Sequence, residues 1–68
     1  MIIKSYKGFE IRVDNDGYGA ESGVIRESDG WELSYSLYDP RVTDEDAYND
    51  CIWTIDDYLK NPSDYEEE

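Results

Sequence analysis

An α+β fold, a small antiparallel sheet of three to four strands with one C-terminal helix packed on one face, is what this 68-residue sequence predicts. Three observations carry the prediction. Period-two alternation runs through "FEIRV" and "WELSYSLY", the pattern of half-buried strands. Turn signals containing Gly, "DNDG" and "SDG", separate the strand-like runs. Between Thr43 and Lys60 the apolar spacing changes to three and four, the period of a helix with one buried face.

The elements follow in order. Ile3 to Tyr6 is apolar enough for a short opening strand, with Lys7-Gly8 as a bend. Phe9, Ile11 and Val13 alternate with Glu10 and Arg12 in the next strand. Asp14 to Gly17 is predicted as a hairpin turn, because Asp-Gly tolerates the positive φ angles of tight turns. Tyr18 to Glu21 is expected to return as a strand weakened by Gly19, with Ser22-Gly23 interrupting it before "VIRE". In "WELSYSLY", Trp31, Leu33, Tyr35 and Leu37 are expected on one face and Glu32, Ser34 and Ser36 on the other. Asp39-Pro40 ends that run, since Pro cannot donate to a ladder.

Thr43 is the expected N-cap of the helix, with Asp46 three residues on and Asp44 and Glu45 in the first turn, where the macrodipole favours acids. Lys60 should close it ahead of Asn61-Pro62. Tyr48, Cys51, Ile52, Ile55 and Leu59 form its expected apolar stripe. Residues 1–61 thus read as a single ββ(β)βα domain, and residues 62–68 as an acidic, disordered tail.

A chain this short buries only about 60% of its unfolded surface, so its core must be compact. Seven Tyr, two Trp and one Phe compensate for an apolar content of 38%. The lone Cys51 cannot form an internal disulfide and reads as a small buried hydrophobe. "MIIKSYKGFE" lacks a signal-peptide apolar region, and no run approaches the length of a membrane span, so a soluble, cytoplasmic protein is expected.

Charge is the outlying property. Eighteen acids against six bases give −12, and residues 39–68 hold eleven acids and two bases of that total. Such a field repels nucleic acid and anionic membranes and attracts basic protein surfaces. With no His, the usual neutral-pH base and the commonest metal ligand are both missing. The acids of Asp56-Asp57 point to different helix faces, and Asp46 and Asp50 share one without a cavity; neither pattern points to catalysis. "DNDG" imitates the start of a calcium loop, but aligning Gly17 on the loop's glycine puts Arg12 and Gly23 at its two terminal ligand positions. No catalytic residue, cofactor or metal is therefore predicted.

The remaining reading is an interaction surface. Asp46, Asp50, Trp53 and Asp57 recur at i, i+4, i+7 and i+11 away from the apolar stripe, with Asp44, Glu45 and Asp56 in support. A Trp on a polar face suits a contact anchor. Folding of Trp53 back over the sheet edge, with the carboxylates simply solvated, is the alternative. "YKGFEIRVDNDG", followed by an aromatic strand and an acidic helix, resembles the opening of small phage and prophage proteins. In size, acidity and element order the chain is also similar to phage-encoded anti-CRISPR and anti-restriction inhibitors, several of which mimic DNA. That resemblance implies a non-enzymatic inhibitor acting in the host cytoplasm, monomeric or homodimeric. Its partner would be a nucleic-acid-binding complex such as a CRISPR-Cas effector, with no direct contact to nucleic acid or membrane. The residues alone equally allow a small accessory interaction module whose acidity serves solubility.

Overall fold

A computed structural model describes residues 1–65. Four strands, β1 (Ile2–Tyr6), β2 (Phe9–Asn15), β3 (Ala20–Arg26) and β4 (Glu32–Leu37), form an antiparallel meander in sequence order. One helix, α1 (Asp44–Lys60), packs across one face of that sheet, giving the predicted α+β fold.

The β1–β2 hairpin closes over two residues, with Tyr6 opposite Phe9. Lys7 and Gly8 both take positive φ, 50° and 88°, the backbone twist that a two-residue hairpin needs. The β2–β3 connection lies later than the sequence suggests. Asp14 and Asn15 still pair across the sheet, and the loop is Asp16 to Gly19. Asn15 and Asp16 each accept a backbone N–H two residues on, from Gly17 and Tyr18, at 2.9 Å. The predicted break at Ser22-Gly23 does not occur, because β3 runs unbroken from Ala20 to Arg26. Gly23 is tolerated mid-strand because its side faces the uncovered surface, where no neighbour would meet a Cβ.

The expected facing of β4 is also corrected. The register steps between Val24 and Ile25: Ile25 pairs Glu32 while Val24 pairs Ser34, so Leu33 is the extra residue of a bulge. The insertion reverses the alternation. Ser34 and Ser36 fall on the helix side opposite Val24 and Ser22, and Tyr35 and Leu37 are exposed on the other face. Trp31 and Leu33, before and at the bulge, still pack against the core.

That core is one layer between sheet and helix. Phe9, Ile11 and Val13 of β2 and Val24 of β3 meet Ala47, Cys51, Ile55 and Tyr58 of α1, all buried. Leu59, expected in the stripe, is instead 48% exposed, and Tyr58 takes the inward position. Tyr58 is the hub of the C-terminal end. Its ring lies 5.6 Å from Phe9, 5.7 Å from Trp31 and 5.8 Å from Tyr65 between centroids. Arg26 caps this cluster, lying 4.9 Å over Trp31 and donating to the Tyr58 hydroxyl at 3.2 Å. Asp29 holds the guanidinium with two bonds, at 2.7 and 3.0 Å, and also accepts the Trp31 N–H.

Thr43 caps α1 as predicted, its Oγ1 accepting the Asp46 N–H at 3.1 Å. Residues 62–65, expected in a disordered tail, take a defined conformation. Pro62–Asp64 form a 3₁₀ turn that brings Tyr65 onto Tyr58. Residues 66–68 of that expected tail lie outside the described residues.

Two predictions follow from this packing. A Cβ on Gly19, which sits at φ +156°, would come within 2.7 Å of the Tyr38 carbonyl oxygen. Gly19→Ala should therefore destabilise the fold by on the order of 2 kcal/mol, read from urea unfolding. The second concerns Asp29, which hydrogen bonds from Arg26 and from the Trp31 N–H hold down to about pKa 2. A carboxyl lowered on folding stabilises above its unfolded pKa and loses that contribution as pH falls through the folded one. The melting temperature should drop between about pH 4 and pH 2, and Asp29→Asn should flatten that part of the profile.

Candidate functional site

The helix acids divide by what reaches them. On the β1 flank, Asp56 accepts from Lys7 Nζ and from the Tyr6 hydroxyl, both at 3.0 Å. The Lys7 bond and then the Tyr6 bond hold the Asp56 carboxyl below the usual range. On the same flank Asp44 lies 3.9 Å from the Met1 amino group, and Lys4 Nζ sits 5.5 Å over the Tyr48 ring. Asp44 and Asp56, two of the predicted supporting residues, thus face β1 and its cations.

On the other flank, among the described residues, no salt bridge within 4 Å reaches a carboxylate. Asp50 accepts from the Tyr38 hydroxyl at 2.7 Å, and that hydroxyl lies 3.3 Å from the buried Ser22 Oγ. Partial burial is the main reason the Tyr38 phenol is pushed up, with the Asp50 bond adding to it. Asp57 accepts from the Tyr65 hydroxyl, a bond that pushes the Tyr65 phenol up to about 12. Glu45 and Asp46 are exposed. Trp53, at 63% exposed, projects into solvent and has no ring partner among the described residues, so it does not fold back over the sheet edge.

Asp46, Asp50, Trp53 and Asp57 therefore share one side of α1, as their spacing predicts, while Asp44 and Asp56 turn towards β1. Among the described residues, no cation lies within 4 Å of Glu45, Asp46, Asp50 or Asp57. The phenol donors satisfy lone pairs without cancelling charge, so the negative field on this side persists. Sequence reasoning missed Tyr38 and Tyr65, which orient two of the four carboxylates. The only signal was an aromatic residue just outside each end of the helix.

Among the described residues no group of three or more His, Cys, Asp or Glu could hold a metal ion, and Cys51 is buried, with burial pushing its thiol up. No helix there is long and apolar enough to cross a membrane. A second surface, which the sequence reading did not single out, is the uncovered sheet face, where Ile3, Tyr35 and Leu37 are exposed.

Tyr38→Phe tests the flank assignment. Loss of the hydroxyl removes the donor to Asp50 and should cost about 1 kcal/mol in urea unfolding. The same change at Tyr18, 87% exposed in the β2–β3 loop, should leave stability unaltered.

No protein-family model matches the chain, and neither a curated protein nor a solved structure shows significant similarity to it.

Proposed function

We propose that this chain is a non-enzymatic, phage-type inhibitor whose acidic surface occupies the nucleic-acid-binding groove of a host defence complex, a CRISPR-Cas effector in the first instance. One observation carries the reading. Asp46, Asp50 and Asp57 share the side of α1 that bears the exposed Trp53, and among the described residues none of the three has a cation within 4 Å. Helix carboxylates three or four residues apart stand roughly 5–6 Å from one another, the same order as the spacing of backbone phosphates. Effectors of that class hold nucleic acid in positive channels and read short motifs with Arg side chains. An anionic surface with a central aromatic anchor suits such a groove, giving fast and salt-sensitive association.

A second reading is an accessory module that docks through apolar side chains, the acid serving solubility. Exposure of Ile3, Tyr35 and Leu37 on the sheet favours it.

Binding to effector complexes, measured by interferometry with target DNA as competitor, separates the two. The inhibitor reading expects mutual exclusion with DNA and affinity that falls as salt rises from about 50 to 200 mM. Asp46→Lys combined with Trp53→Ala should cost about 2 kcal/mol or more of binding with the fold intact. Asp50 is left alone in this variant, because replacing it would also remove the Tyr38 hydrogen bond. Salt-independent binding that survives both substitutions would sink the inhibitor reading and favour the module.

A further inference from the structure

The uncovered face of the sheet is a second, chemically different surface. Its cross-strand rows are Ile3–Arg12–Gly23–Tyr35, Ser5–Glu10–Ile25–Glu32 and Asp14–Glu21–Leu37. Gly23 leaves a hollow of about 310 Å³, walled by Ile3, Ile25 and Tyr35. Asp14, Glu21 and Glu32 line it together with Arg12, and the Tyr35 hydroxyl reaches Glu21 at 3.4 Å. Among the described residues these rows hold one cation, Arg12, and Glu10 holds it at 3.0 Å. Glu10, Asp14, Glu21 and Glu32 against Arg12 leave four acids to one base across the three rows.

Apolar side chains within a net negative lining select an occupant that is both apolar and cationic. A second copy of this chain is disfavoured, since each copy brings the same acidic lining and a net charge of −12. We propose that this face docks a cationic amphipathic helix of a partner protein, laid across the sheet opposite α1. Its apolar side chains cover Ile3, Ile25 and Leu37. An arginine enters the hollow over Gly23, its guanidinium against the Tyr35 ring and within reach of Glu21 and Glu32. The surface lies on the other side of the sheet from Trp53 and does not depend on the inhibitor reading.

The test is an NMR titration of the full chain with a capped helical peptide carrying leucine at three- and four-residue spacing and arginine on both flanks. A matched peptide with glutamate for arginine is the control. Amide shifts are expected at Ile3, Arg12, Gly23, Ile25 and Tyr35 with the arginine peptide and not with the glutamate one. Gly23→Val should weaken binding about tenfold, equivalent to about 1.4 kcal/mol. The position is an ordinary strand residue with open space at the Cβ, so this change fills the hollow and keeps the fold. Tyr35→Ala, at an exposed position, gives an independent reading of the same loss. No shift at millimolar peptide, shifts confined to α1, or full affinity in both variants would each overturn the proposal. So would concentration-dependent shifts on this face without peptide, which would mark self-association.

Discussion

Seating of α1 on β2 and β3 is the constraint on which everything else rests. The sheet is covered on one face only, so a single apolar layer must hold a chain carrying −12. Ile11, Val13, Val24 and Ile55 are fully buried, and Cys51 nearly so. Each such aliphatic side chain contributes on the order of 1.5–3 kcal/mol relative to exposure. The layer is thin, and the aromatic end makes up area: Phe9, Trp31 and Tyr65 meet around Tyr58. That seam has to outweigh the mutual repulsion of six acids on α1.

How those acids are accommodated explains why the surface stays negative. Three tyrosines donate to three helix aspartates: Tyr6 to Asp56, Tyr38 to Asp50 and Tyr65 to Asp57. A hydroxyl satisfies a carboxylate and leaves its charge in place, whereas a lysine would cancel it. Lys7 does cancel one, at Asp56. The arginines are spent locally, Arg12 on Glu10, Arg26 on Asp29 and Arg41 on Asp39. The three arginines are thus held close to their own strands and turns, and the net field of the chain stays negative.

The parts legible in the sequence were those decided by local rules. Thr43 as a cap, Lys60 as the last helical residue and the alternation of Phe9, Ile11 and Val13 all depend on neighbours within one turn or one strand. The misreadings have non-local causes. A bulge opposite the Val24–Ile25 step turned Tyr35 and Leu37 outward, and only the pairing of β3 with β4 sets it. Gly23 reads as a breaker until its side of the sheet is known to be uncovered. Tyr58 displaced Leu59 from the core because Phe9, Trp31 and Tyr65 form a socket for an aromatic ring, and those three come from distant parts of the chain. For the candidate site, spacing alone put Asp46, Asp50, Trp53 and Asp57 together, but the donors that orient Asp50 and Asp57 lie outside the helix.

Exposed apolar groups and unpaired acids normally work against each other at an interface, since burying one desolvates the other. Here they are arranged so that both can be met by one kind of partner. Trp53 rises among carboxylates on α1, and Ile3, Tyr35 and Leu37 lie among carboxylates on the sheet. An apolar partner would strand the acids, and a small hydrated cation would leave the apolar groups in water. Only a surface carrying apolar and guanidinium or ammonium groups together relieves both, because long basic side chains bring an aliphatic stem along with the charge. On the two proposals made above, both faces would discriminate in the same direction, against acidic and against purely apolar surfaces, although they are built from different elements.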